Sequence, residues 1–204
     1  MKKFILILFI FTLHIANAKE ITILFLGDSL TEGLGVQKNE AYPFLVKELI
    51  QTKLKKDIKV INGGVSGSTT SDGLSRLKWY MKRKPDFVFL ALGANDGLRG
   101  LDLKQSQKNL EEIIKFVQKS KSEVLLAGML IPPNYGPEYS QDFRNMYKSI
   151  KEKYSLKTMP FLLKDVAGVE ELNQRDGIHP NVKGHKTIAK NVYEFLENIL
   201  KEEL

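Results

Sequence analysis

Ser29 stands in Gly27-Asp28-Ser29-Leu30, directly after the apolar run Ile21-Thr22-Ile23-Leu24-Phe25-Leu26. Far downstream, Asp176-Gly177-Ile178-His179-Pro180 is the one place in the chain where a His follows an Asp by three. A serine hydroxyl is a poor nucleophile until a neighbouring base takes its proton. An imidazole serves as that base when a carboxylate fixes its tautomer. Ser29, His179 and Asp176 are therefore candidates for the nucleophile, base and orienting acid of an acyl-transfer reaction. Asp176-Gly177 also has an ordinary use, as a turn pair whose carboxylate caps backbone N–H groups. Taken alone, that use is the commoner one; beside a loop His and a strand-end Ser, the catalytic one is favoured.

The choice of base is nearly forced. Of the three histidines, His14 lies in an N-terminal apolar run, and His185 falls inside a helical pattern, where it reads as a helix-surface residue. His179 precedes Pro180, whose fixed φ suits the first turn of that helix, so His179 belongs to the loop that enters it. A tetrahedral oxyanion needs preorganised donors. Gly67, in Val65-Ser66-Gly67-Ser68, lets a backbone N–H approach a ligand closely. Asn95, in Gly93-Ala94-Asn95-Asp96, offers a side-chain NH₂, and the Ser29 N–H is a third donor. Glycine and asparagine also populate plain turns; their position after strands is what singles these two out.

These side chains need a scaffold that brings them together. Apolar runs of strand length recur at Ile21 to Leu26, Ile58 to Ile61, Phe87 to Leu92, Val124 to Leu130 and Phe161 to Leu163. They are continuous rather than alternating, as expected of parallel strands covered on both faces. Between them, Leu110, Ile113, Ile114 and Val117 follow helical spacing, as do Ile188, Val192, Phe195, Leu196 and Ile199 near the C-terminus. The alternation predicts an α/β fold with a doubly wound parallel sheet. The segments holding Ser29, Gly67, Asn95 and Pro132-Pro133-Asn134-Tyr135-Gly136 all follow strands. In such a sheet the carboxyl ends of the strands form one crevice, so loops distant in sequence should line a common site.

In order along the chain, Gly27-Asp28-Ser29-Leu30, Gly67, Asn95 and Asp176-x-x-His179-Pro180 resemble the four blocks of the SGNH, or GDSL, hydrolases. Gly97-Leu98-Arg99-Gly100 and Pro133-Asn134-Tyr135-Gly136 extend the similarity to the periplasmic group of acyl-CoA thioesterase I, whose members also act as lysophospholipases and arylesterases. The resemblance implies a flavodoxin-like three-layer α/β/α sandwich around a five-stranded parallel sheet. It also implies a catalytic set of Ser29, His179 and Asp176, an oxyanion hole of the Ser29 and Gly67 amides with the Asn95 side chain, and no cofactor or metal. Ala94 departs from the glycine often found there in close relatives and leaves Asn95 in place. Asp28 and Asp96 read as carboxylates that brace their loops.

The remaining features bound the setting. Met1-Lys2-Lys3, an apolar stretch from Phe4 to Ile15 and Ala16-Asn17-Ala18 have the form of a secretory signal peptide, residues 1–18, cleaved before Lys19. The apolar run is well short of the roughly 20 residues that span a bilayer, which disfavours an uncleaved anchor. Residues 19–204 suffice for one well-cored domain. With no Cys there is neither a disulfide nor a lipobox, so a soluble periplasmic or secreted protein is expected. The formal charge of +7 includes Lys2 and Lys3. Without those two the remaining excess looks dispersed, with Lys82-Arg83-Lys84 offset by Asp86. No basic face interleaved with aromatics is evident, which argues against nucleic acid; a weak attraction to anionic membrane surfaces is the most the charge supports. The expected partner is a small-molecule acyl ester or lysophospholipid acted on by a monomer. A carbohydrate or peptidoglycan O-acetyl ester is the rival substrate. A non-catalytic nucleotide-binding scaffold is disfavoured, because neither G-x-G-x-x-G nor G-x-x-x-x-G-K-[ST] follows the first strand.

Overall fold

Ile21–Gly27 forms β1, the hydrophobic centre of the fold, and every one of its residues is buried. A computed structural model describes residues 20–203; the predicted signal peptide, residues 1–18, lies outside them. β1 pairs in parallel with β2 (Ile58–Gly64) and with β3 (Phe87–Ala91). β4 (Glu123–Ala127) and β5 (Lys157–Met159) continue the sheet, giving the order β2-β1-β3-β4-β5. This is the flavodoxin-like order, whose switch point lies between β1 and β3. The apolar runs become the inner strands because only a strand buried on both faces can use every side chain for packing. The two edge strands instead carry exposed lysines, Lys59 and Lys157, which block further strand addition.

Helices cover both faces. α2 (Tyr42–Lys53) packs against α7 (Val182–Glu203) on one side, while α3 (Thr70–Tyr80), α5 (Leu103–Lys119) and α6 (Pro137–Tyr154) pack in sequence on the other. α5 buries Leu110, Ile113, Ile114 and Val117 completely, the stripe predicted from their spacing. Two single-turn helices, α1 (Ser29–Glu32) and α4 (Ala94–Leu98), follow β1 and β3.

Three expectations are corrected. The fifth strand is Lys157–Met159, not Phe161–Leu163. A short edge strand needs only its inward residue apolar, here Met159, whereas Leu162 reaches the core from the following loop, donating its N–H to the Gly128 carbonyl at 3.0 Å. Pro180 lies outside the first turn of α7. Asn181 caps that helix, its Oδ1 accepting from the N–H groups of Lys183 at 2.9 Å and Gly184 at 3.2 Å. His185 is no surface residue: it is 1% exposed. Its Nδ1 accepts the Tyr42 N–H at 3.3 Å, and its ring stacks on that of Tyr42. The spacing of His185, Ile188 and Val192 places all three on the apolar stripe of α7.

Candidate active site

The turn that carries Ser29 is built by its neighbours. β1 stops at Gly27, where a Cβ would run into the Thr31 side chain and lie 3.0 Å from the Ala91 carbonyl, so only glycine fits between the strand and the turn. Asp28 caps α1, its Oδ1 accepting the Leu30 N–H at 3.0 Å. Ser29 is thus the first residue of a helix at the carboxyl end of the central strand, and its own N–H has no acceptor within that helix. The N–H is therefore available to a ligand. Glu32, at the end of α1, accepts from the N–H and hydroxyl of Ser66 and ties the nucleophile turn to the loop after β2.

His179 Nε2 lies 2.9 Å from Ser29 Oγ, and His179 Nδ1 lies 2.7 Å from Asp176 Oδ2. The three side chains form one unbroken hydrogen-bonded line. The carboxylate of Asp176 serves both uses that its sequence context offered. Oδ2 meets the imidazole, while Oδ1 caps the turn by accepting the N–H groups of Ile178 at 2.9 Å and His179 at 3.0 Å. The His179 N–H, the His179 ring and the Ile178 N–H together hold the Asp176 carboxyl down at about 2. Gly177, at φ +69°, lets the turn close that tightly. Gln174 secures the whole loop by donating from Nε2 to the Leu34 carbonyl at 2.7 Å, and so to the chain just past Ser29.

The candidate oxyanion loops are equally tied. Gly67 has φ +78°, and its carbonyl accepts from Arg99 Nη2 at 3.0 Å. Asn95 falls in the single turn of α4 rather than in an open loop. Its Nδ2 donates one hydrogen to the Ser68 carbonyl at 2.9 Å, which fixes the carboxamide and leaves the second hydrogen free. Buried Asp96 accepts from the Thr70 N–H at 2.9 Å, the Thr70 hydroxyl at 2.6 Å and the Ser106 hydroxyl at 2.9 Å. It braces the loop after β2 against α4 and α5, as its sequence position suggested. Asp28 braces too, and at a cost. It is 1% exposed, and its Oδ2 has no partner among the described residues. Burial pushes its carboxyl up to about 6 against the pull of the Leu30 N–H and, more weakly, of His179 and Arg76.

Nothing in the sequence marks Arg76, and Arg99 stands there only within Gly97-Leu98-Arg99-Gly100, without a role. Arg76 donates to the carbonyls of Gly63 at 2.6 Å and Gly27 at 3.1 Å while pairing with Asp72 at 2.9 Å, so it clamps the ends of β2 and β1 together. Only its i, i+4 spacing from Asp72 was legible. Exposed apolar side chains, Leu34, Val65, Leu101, Leu130, Tyr135 and Ile178, stand on the loops that follow β1 to β4 or adjoin His179 and give this end of the sheet an apolar rim interspersed with charged residues. A groove of about 440 Å³ beside the nucleophile turn is lined by Leu34, Val36 and Phe44 together with Glu32 and Lys38.

Known proteins resemble this chain in sequence and in fold. The chain is 36% identical to an arylesterase of Vibrio mimicus over 192 residues, 94% of this chain and 95% of that one. It is 34% identical to the thioesterase 1/protease 1/lysophospholipase L1 of Escherichia coli strain K12 over 183 residues, covering 89% and 86% of the two chains. The crystal structure of the psychrotrophic esterase EstA from Pseudoalteromonas sp. superposes with a TM-score of 0.84 at 36% identity, covering 89% of this chain and 100% of that one. Residues 25–187 match the GDSL-like lipase/acylhydrolase family, a span that runs from within β1 past His179, and the chain belongs to that family.

Proposed function

We propose that the protein hydrolyses carboxylic esters and thioesters with hydrophobic acyl or aryl groups, lysophospholipids among them, through a covalent acyl-enzyme on Ser29. The observation that carries this reading is the line Ser29 Oγ, His179 Nε2, His179 Nδ1, Asp176 Oδ2, with contacts of 2.9 Å and 2.7 Å. His179 takes the Ser29 proton as Oγ bonds to the carbonyl carbon, and the resulting oxyanion is held by the Ser29 and Gly67 N–H groups and the free Asn95 Nδ2 hydrogen. The imidazolium then gives its proton to the departing alkoxide or thiolate. Water, deprotonated by the same imidazole, attacks the acyl-enzyme and releases the carboxylic acid. None of these steps calls for a metal or cofactor.

Two further observations support the reading. The relatives named above are an arylesterase and a thioesterase/lysophospholipase, and EstA is inhibited by monoethylphosphonate, a reagent class that captures activated serines. The apolar rim suits a fatty or aryl group better than the small polar acetyl esters of sugars. A series of p-nitrophenyl esters tests this: kcat/KM should rise from acetyl to medium and long acyl chains. A sharp preference for acetyl would move the assignment to O-acetylesterase.

The setting belongs to the same proposal. The N-terminal Lys2-Lys3, apolar run and Ala16-Asn17-Ala18 support export and cleavage, with the mature protein acting as a periplasmic or secreted monomer. N-terminal sequencing of the exported protein should read from Lys19 or a close neighbour.

A further inference from the structure

All five strands are parallel, so the four crossovers that return to β2, β3, β4 and β5 reach one edge of the sheet, opposite the crevice. In each crossover one residue takes the left-handed conformation: Lys55 at φ 57°, Lys84 at φ 49°, Lys121 at φ 61° and Ser155 at φ 50°. Glycine is the usual occupant of such a position after a helix, because a Cβ there is strained. Lysine occupies three of the four. The helix dipole does not account for this, since Lys53, Arg83 and Lys119 already stand in the preceding turns without strain.

The three lysines are exposed, and none has an acidic partner within 4 Å among the described residues. Three of the carboxylates at this end are engaged elsewhere, Asp57 with Gln51 and Lys47, Asp86 with the Thr22 N–H, and Glu123 with Lys157, while exposed Glu20, just before β1, is one acidic group against the cluster of lysines. Beside this edge, in the last turn of α3, Trp79 is 54% exposed, more than any other large apolar side chain among the described residues. The Arg83 guanidinium lies 5.1 Å from the centre of its ring. An exposed indole set among cations is the pairing found at membrane–water interfaces, where the ring lodges at head-group depth and the cations meet phosphate.

We infer that this edge is a docking face for an anionic phospholipid bilayer, with Trp79 as the apolar anchor and Lys55, Lys84 and Lys121 as contacts to lipid phosphate. The charges that looked dispersed along the sequence converge because the parallel topology collects every helix-to-strand loop at one end. A bilayer is favoured over a nucleic acid because the lysines sit on separate loop tips rather than along a groove that could track a strand. Docked this way, the protein turns its crevice away from the membrane and works on esters arriving from solution.

Trp79 is the only tryptophan in the chain, so its fluorescence reads the contact directly. With the purified mature protein, beginning at Lys19, vesicles containing phosphatidylglycerol should shift Trp79 emission to the blue and sediment the protein, whereas phosphatidylcholine vesicles should do neither. Raising salt toward 1 M, where the screening length falls to about 3 Å, should release it. The triple variant Lys55→Gly, Lys84→Gly and Lys121→Gly should lose on the order of 10² in partitioning, taking each lysine as roughly fivefold. It should keep its thermal midpoint, because glycine relaxes the backbone at these positions, and its ester turnover. Ser29→Ala should bind vesicles as the wild type does, so a failed catalytic assignment would leave this test intact. Unshifted Trp79 emission on anionic vesicles, equal binding to phosphatidylcholine, undiminished binding by the triple variant, or binding to single-stranded DNA but not to vesicles would each overturn the inference.

Discussion

Asp28→Asn offers a quantitative probe of how the nucleophile turn is held. In the folded chain the Asp28 carboxyl titrates at about 6, against 3.8 without burial. Between those values the folded state binds the extra proton, so this group stabilises the fold below 3.8 and that contribution is lost as pH rises through 6. At 1.36 kcal/mol per unit the loss is roughly 3 kcal/mol. Buried His185 works in the opposite sense, its imidazole pushed down from 6.5 to about 4 by burial. Its contribution is present above 6.5 and is lost as pH falls through 4, again by roughly 3 kcal/mol. The two slopes nearly cancel in the wild type. Asparagine keeps the Oδ1 acceptor for the Leu30 N–H and cannot titrate. In urea unfolding from about pH 4 to about pH 7, the gap between wild type and variant should therefore move by roughly 3 kcal/mol in favour of the variant, and the variant alone should expose the His185 slope. A gap that stays constant within about 0.5 kcal/mol across that range would show that Asp28 is not buried as an uncompensated carboxylate and refute the reasoning.

Three further outcomes follow from the site. Asn95→Ala should lower kcat by on the order of 10² to 10³ with little change in KM, as for loss of one oxyanion donor; equal kcat would remove Asn95 from that role. Asp176→Asn should lower kcat by about 10² or more, since it loses the charge that stabilises the imidazolium while keeping an Oδ1 for the turn, and an activity within threefold of wild type would contradict it. The depressed Asp176 carboxyl contributes stability that is present above 3.8 and lost as pH falls through about 2. Acid titration of the same variant should lack that step, which is small because the side chain is half exposed and screened.

The inner strands and α5 were legible because full burial forces a continuous apolar run or a strict helical stripe. β5 was not, since an edge strand of three residues with one inward side chain, Met159, carries no such pattern. Ser29, His179 and Asp176 could be found because few residue types do their chemistry and His179 had almost no competitor. His185 was misread by residue type, although its spacing from Ile188 and Val192 already placed it inside. Arg76 and Arg99 were hidden for a different reason. Their guanidiniums act on backbone carbonyls of remote loops, and a carbonyl leaves no mark in a sequence. The same holds for the basic edge, whose charges are neighbours only once the crossovers are laid side by side.

The central claim is that Ser29 is a nucleophile activated by His179, and covalent capture tests it most directly. A fluorophosphonate added to the purified protein should form one adduct, and peptide mass spectrometry should place it on Ser29. His179→Ala should abolish labelling while leaving the fold intact by circular dichroism, because the hydroxyl 2.9 Å from Nε2 loses its base. Labelling of a different residue, or of Ser29 at an undiminished rate in His179→Ala, would contradict the account.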